Sequence, residues 1–199
     1  MDAKDTEQHI KDTAKIVFFA KGKLNAKTQE IADEAKVNRA LLHYYFRSRE
    51  KLFETVLKEA LEESRNTFYK IASSDLSFEK KIYSIVSMMV DRMIEYPFME
   101  TFIVSEIIRK PENLLMIHNS GMNNEFKLKF KKEIQQYIDD HHLPHIKPEH
   151  FVANMLGMCV YPSVAKPILM NMFQYTEEQY SRFISERKKV IANLLLGKS

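Results

Sequence analysis

Residues Thr28-Gln-Glu-Ile-Ala-Asp-Glu-Ala-Lys-Val-Asn-Arg-Ala-Leu-Leu-His-Tyr-Tyr-Phe-Arg-Ser-Arg49 decide the fold. They read as two short helices around a tight turn, the second rich in aromatic, imidazole and basic side chains. Thr28 is expected to cap the first helix, its hydroxyl accepting a backbone N–H one turn in. Glu30 sits in the first turn, where the positive end of the helix dipole favours a carboxylate. Ile31, Ala32 and Ala35 form one apolar stripe, and the alanines let a neighbouring helix come close. Asn38 is expected to cap the second helix, with Leu41, Leu42, Tyr45 and Phe46 as its anchoring face. That leaves Arg39, His43 and Tyr44 pointing outward. Such a helix-turn-helix lays its second helix in the DNA major groove.

Outward from this pair, Ser48 is expected to cap a third helix bearing Leu52, Phe53, Val56, Leu57, Ala60 and Leu61 at helical spacing. Upstream, Ile10, Ala14, Val17 and Phe18 make another stripe, closed by Gly22 in a C-cap position. The first 50 residues are thus three helices around a small core, too little apolar surface for secure independent stability. The helix from Ser48 is expected to tie this head to the rest of the chain.

Three blocks now stand in order: Ile10-x-x-x-Ala14-x-x-Val17-Phe18-x-x-x-Gly22, Thr28-x-x-Ile31-Ala32-x-x-Ala35-x-Val37, and Leu42-His43-Tyr44-Tyr45-Phe46-x-Ser48-Arg49-x-x-Leu52. Together, from Ile10 to Val56, they resemble the DNA-binding domain of the TetR family of bacterial transcription regulators. Two positions depart from that pattern: Lys36 stands where the family usually has a turn glycine, and Leu41 where a polar or small residue is common. A left-handed turn at Lys36 would cost on the order of 1 kcal/mol.

The resemblance implies an all-α protein: a helix-turn-helix head over residues 1–50 and a larger helical effector-binding and dimerisation body over 51–199. It implies a transcriptional regulator, a repressor that binds a palindromic double-stranded operator as a homodimer and is released by a small apolar or amphipathic molecule. The expected DNA-contacting set is Lys27, Thr28, Asn38, Arg39, Ala40, Leu41, His43, Tyr44, Tyr45, Arg49 and Lys51. Thr28 and Arg49 would hold phosphates, and Arg39 is the residue suited to bidentate guanine reading.

Beyond residue 75 the chain reads as further helices, with apolar periodicity over 77–96, 98–109, 112–139, 149–161 and 176–196. Pro162 and Pro167 are expected to break the chain after the fourth of these helices. Within this body the resemblance points to Met89, Met93, Phe102, Glu106, Met116, His118, Met122 and Phe126 as effector contacts. It places Phe151, Met155, Met158, Phe183, Val190, Ile191 and Leu194 at the dimer interface, on the last two long helices.

Composition fits this reading. A chain of 199 residues with 4 glycines, 6 prolines and no alternating strand pattern is helical in character. The net charge of +3 is modest; its placement matters more, with Lys27, Lys36, Arg39, Arg47, Arg49 and Lys51 clustered around the reading helix. One cysteine, Cys159, excludes an internal disulfide and fits a small buried hydrophobe in a reducing cytoplasm. The polar start is unlike a signal peptide, and no apolar run reaches the roughly 20 residues needed to cross a bilayer, so no membrane partner is expected.

Catalysis is not expected: no nucleophile elbow, phosphate-cradling glycine loop or dinucleotide fingerprint is present. No cofactor and no metal are assigned. Two alternatives stay open. The run His141-His142-Leu-Pro-His145-Ile-Lys-Pro-Glu149-His150 offers zinc-type ligands for a metal-sensing regulator, although Pro144 and Pro148 oppose a helical ligand spacing. A helical protein-interaction adaptor without specific DNA binding is the other.

Overall fold

The computed structural model describes residues 3–109, 124–143 and 146–198. These form ten α-helices: α1 Ala3–Lys15, α2 Thr28–Glu34, α3 Arg39–Phe46, α4 Arg49–Ala72, α5 Phe78–Glu95, α6 Met99–Arg109, α7 Asn124–Asp140, α8 Pro148–Val164, α9 Lys166–Phe173 and α10 Glu177–Leu195. No strand occurs among the described residues. Packing divides them into two units. One combines residues up to Ser64 with α6, and the other combines Arg65–Glu95 with α7 to α10. The packing boundary therefore lies beyond residue 50, and α4 contributes residues to both units.

In the first unit, α1 passes into a single π-helical turn, Ile16–Ala20. The wider turn lets three consecutive side chains, Val17, Phe18 and Phe19, all reach the core. The stripe expected from an ordinary helix stopped at Phe18. Gly22 then reverses the chain at φ +68, and a Cβ there would lie 3.0 Å from the Phe98 ring. A glycine is needed for both reasons. Lys11 and Lys15, one turn apart on α1, reach Glu59 at 2.8 Å and Glu63 at 3.1 Å on α4.

The head core is completed from two directions. Leu52, Phe53, Val56 and Ala60 come from α4, as the spacing after Ser48 implies, and Met99, Phe102 and Ile103 come from α6. Phe102 is 3 % exposed, with its ring 6.2 Å from Phe19 and 6.4 Å from Phe53. The sequence expected it among the effector contacts; its ring packs in the head core. A three-helix head lacked apolar surface, and α6 supplies it through contacts some 50 to 80 residues apart, which no local pattern announces.

In the second unit, one face of α5 (Ile82, Ile85, Val86, Met89, Val90) packs with Phe130, Ile134 and Ile138 of α7, Phe151, Met155 and Cys159 of α8, and Ile184 and Ile191 of α10. Lys81, nearly buried, is neutralised by Glu133 at 2.9 Å. The C-terminal end is held by the Tyr137 hydroxyl, which donates to the Leu196 carbonyl at 3.2 Å, and by Lys198, which pairs with Glu79 at 2.6 Å. Burial and the nearby Glu79 carboxylate push the Tyr137 phenol up to about 12.

Two expectations for this unit are corrected. Pro162 does not break α8, which runs on to Val164 with Pro162 buried inside it. Proline has no N–H, so the carbonyl four residues back, at Met158, loses its helical donor. Arg187 of α10 replaces it, donating from Nη2 at 3.1 Å. The Pro162 carbonyl in turn accepts from the buried Tyr180 hydroxyl. Second, Phe151, Met155 and Ile191, expected at the dimer interface, face the core of their own chain at 0 %, 4 % and 0 % exposure. The uncharged run of α8 gives little sequence signal for which of its sides faces inward, and on α10 an apolar stripe serves intrachain packing as well as it would a dimer.

Candidate nucleic-acid interface

The reading helix α3 is fixed from behind and capped at its start. The Asn38 side-chain oxygen accepts the Leu41 N–H at 2.7 Å, an N-cap bond as the sequence indicated. Leu42 and Phe46 are buried, while Leu41 and Tyr45 are half-buried, with the Tyr45 ring edge-on to Tyr44 at 5.2 Å. Arg39, Ala40, His43 and Tyr44 face solvent, Tyr44 at 66 % exposure. A tyrosine that exposed on a rigid helix has given up the burial that normally stabilises an aromatic ring. Of the expected DNA set, Tyr45 packs against the head core and supports Tyr44 from beneath.

The turn before α3 takes the left-handed form: Lys36 has φ 54, and Val37 N–H bonds back to the Ala32 carbonyl at 3.0 Å. A lysine there carries strain that glycine would not. Lys36→Gly is expected to raise stability by about 0.5–1 kcal/mol in denaturant unfolding, less any entropy glycine adds to the unfolded chain. A loss of stability would contradict this.

The start of α2 differs from expectation. Lys27, not Thr28, occupies the N-cap position with extended backbone, and its N–H is taken by Glu30 Oε2 at 2.6 Å. Glu30 reaches back to the cap, and Thr28, already the first helical residue, does not act as the N-cap. After α3 the chain turns at Arg47, φ 63. Ser48 Oγ then accepts the Lys51 N–H at 3.1 Å, the cap of α4 that the sequence indicated.

Between these elements lies a concavity of about 510 Å³, lined by Lys27, Thr28, Gln29, Arg39, Leu42, His43, Arg47, Ser48, Arg49 and Glu50. Four cations and a single carboxylate surround it, a field suited to a phosphate backbone. Arg49 is partly occupied elsewhere: its Nε donates to the Ala26 carbonyl at 3.1 Å, its guanidinium stacks on Phe18 at 5.5 Å, and it pairs with Glu50 at 3.5 Å. The backbone N–H at Glu50 and the Arg49 charge hold the Glu50 carboxyl below its usual range. Arg49 thus braces the head as well as edging the concavity. Lys51 lies outside it, exposed and 3.7 Å from Glu54. Gln29 and Arg47 are lining residues that the sequence-derived set lacked. Arg47 stood among the clustered charges, but only its left-handed backbone brings it to this rim.

Four of the eight effector candidates have side chains among the described residues. Met89 and Met93 are buried on α5, and Phe126 is half-buried on α7. Met116, His118, Met122 and the Glu106 side chain lie outside the described residues. Phe126 does edge a cleft of about 250 Å³, formed by the end of α4 (Tyr69, Ala72, Ser73) and the first half of α7 (Glu125, Phe126, Lys129, Phe130, Glu133). In the histidine-rich segment, His141 stacks on Tyr137 at 3.9 Å and bonds its carbonyl through Nδ1. His145 is outside the described residues, and among those described no three metal-ligating side chains converge. No helix among them is long and apolar enough to cross a membrane.

Residues 10–56 match the family model described as "Bacterial regulatory proteins, tetR family". The head is a TetR-family helix-turn-helix domain, and the chain carries that family's all-helical fold. Among curated proteins it is similar to the HTH-type transcriptional repressor NicS of Pseudomonas putida, 27% identical over 115 residues, 55% of this chain and 54% of that one. The match thus spans about half the length of that relative. Among solved structures, a Mesorhizobium loti protein assigned to the TetR-family transcriptional regulators superposes with a TM-score of 0.58 at 16% identity, over 99% of this chain and 98% of that one. HlyIIR, a hemolysin II transcriptional regulator, gives 0.55 at 23% identity, over 93% and 98%.

Proposed function

We propose that this protein is a dimeric, DNA-binding transcriptional repressor, released from a palindromic operator by a small effector. The observation that carries the reading is the capped, rear-anchored α3, presenting Arg39, His43 and Tyr44 to solvent beside a cationic concavity. Lys27, Arg47 and the free edge of Arg49 hold phosphates, while Arg39 and His43 meet base edges.

Fluorescence anisotropy on operator and scrambled duplexes across a salt series separates these roles. Lys27→Ala is expected to weaken both duplexes alike and reduce the slope of log K against log salt by about 0.9. Arg39→Ala is expected to lose roughly 1–3 kcal/mol on the operator and relax preference at one base pair. Identical behaviour of both variants on every sequence would end this division of labour. Failure of the wild type to prefer any duplex would end the DNA reading itself.

Support for a dimer comes from α8. No charged residue occurs from Phe151 to Ala165, and the side of α8 away from the core exposes Ala153, Asn154, Leu156, Gly157, Tyr161 and Val164. Apolar side chains on the outward side of an uncharged helix are stabilised by cover, even with Asn154 among them. A second copy supplies it: Gly157 has nothing within 4 Å of where a Cβ would stand, which leaves room for a close-packed helix. Val190 and Leu194, exposed at 47 % and 64 %, extend this surface onto α10. They are the members of the expected interface set that remain available for it, with Met158 and Phe183 half-buried at its edge.

For the effector, the cleft between α4 and α7 offers an aromatic wall, Tyr69 and Phe126 at 4.7 Å, beside carboxylate and ammonium groups. That lining suits a small amphipathic molecule. Binding there would favour a conformation whose two heads no longer match successive groove sites, and a few kcal/mol of differential affinity suffices for release.

A further inference from the structure

The flank of α10 beside α8 carries Phe183, Arg187, Val190 and Leu194 at successive helical turns, with Glu186 next to them. Arg187 is the unusual member. Its Nη2 is committed to the Met158 carbonyl left bare by Pro162, and its guanidinium lies 5.6 Å from the Phe183 ring centre. Its Nε is buried without any acceptor. Two other cations on α10 have counter-charges, Arg182 with Glu178 and Lys188 with Asp91, and Lys189 is exposed to water. Arg187 has no carboxylate among the described residues, and α8, which it faces, brings no charge along the contact. A guanidinium partly withdrawn from water and left without a counter-charge is strongly unfavourable.

Glu186 is the complementary anomaly. It is exposed, forms no ion pair among the described residues, and borders the same apolar surface. In a twofold interface, residue i of one copy meets residue j of the other and j meets i. Two adjacent opposite charges, each unpaired at home, are therefore completed twice by one symmetric contact. If antiparallel α10 helices cross between positions 186 and 187, Arg187 faces Glu186 of the second copy. The same register sets Phe183 opposite Val190 of the second copy, apolar against apolar. One alignment satisfies both requirements.

We propose that Glu186 of a second copy of this chain neutralises Arg187, and that the two reciprocal pairs fix the register of the dimer and discriminate against other helical partners. This inference rests on the dimer reading above and adds to it the charge code. Opposed like charges within such a seam are costly, whereas complementary ones give specificity.

The test uses the full-length chain carrying E186R or R187E, each alone and as a mixture, followed by sedimentation equilibrium and by energy transfer between differently labelled copies. Each variant alone sets like charges against each other, and its self-association is expected to weaken at least about 10-fold. Mixed, the two are complementary at both contacts, so a heterodimer of near wild-type affinity is expected. R187E also removes the donor to Met158, so its fold is checked by circular dichroism. E186R changes only an exposed side chain, and E186R/R187Q, which relieves the repulsion, is expected to recover part of the lost affinity. A wild-type dimer with E186R unchanged, or with no heterodimer preference in the mixture, overturns the charge code and leaves the dimer intact. A wild type that stays monomeric at all concentrations overturns the dimer reading itself.

Discussion

Phe102→Ala is expected to destabilise the DNA-binding head by about 3–5 kcal/mol, the range for removing a buried aromatic ring from a close-packed core. The ring touches Phe19 and Phe53 and is 3 % exposed, so its loss leaves a cavity bounded by the π-turn, α4 and α6. Against a total stability of about 5–15 kcal/mol this is a large fraction. Thermal unfolding followed by circular dichroism should show a markedly lower midpoint, and operator affinity should fall with the folded fraction. A residue that only lined an effector site would behave differently: the variant would melt near the wild-type temperature and change its effector response. That result would return Phe102 to the ligand set.

Leu156→Glu addresses the opposite kind of residue. Leu156 is 47 % exposed in the isolated chain, so a carboxylate there costs the monomer little. Placed within an apolar contact between two copies it would be desolvated without a partner. The expected result is a folded monomer in sedimentation equilibrium. Its operator affinity should fall by about 10²- to 10⁴-fold, because the second head no longer binds as a tethered neighbour. An unchanged dimer would place the interface elsewhere on the molecule.

The features legible in the sequence were those whose cause is local. Asn38 and Ser48 cap their helices because a short polar side chain can reach an N–H one turn on, and both bonds are present. Leu42 and Phe46 lie under α3, and Arg39, His43 and Tyr44 lie outside it, because helical spacing alone sorts them. Lys36 takes the left-handed turn that its position demanded.

The features that escaped have causes distant in the chain. Phe102 belongs to the head because α6 returns to it. Pro162 sits inside α8 because Arg187, on another helix, satisfies the carbonyl that the proline exposes. Phe151 and Met155 face their own core because the uncharged middle of α8 does not mark one inward side, and Ile191 of α10 joins them there. Thr28 is already the first helical residue, because the chain enters α2 at Lys27, whose N–H donates to the Glu30 carboxylate; residue type alone does not set that one-residue boundary.

The contribution of α6 to the head also bears on engineering. Fusing only the first 50 residues to a foreign effector module would transplant the reader without Met99, Phe102 and Ile103. A working chimera would have to include that later helix or rebuild its three plugs, so the natural exchange point between regulators is not where the helix-turn-helix ends.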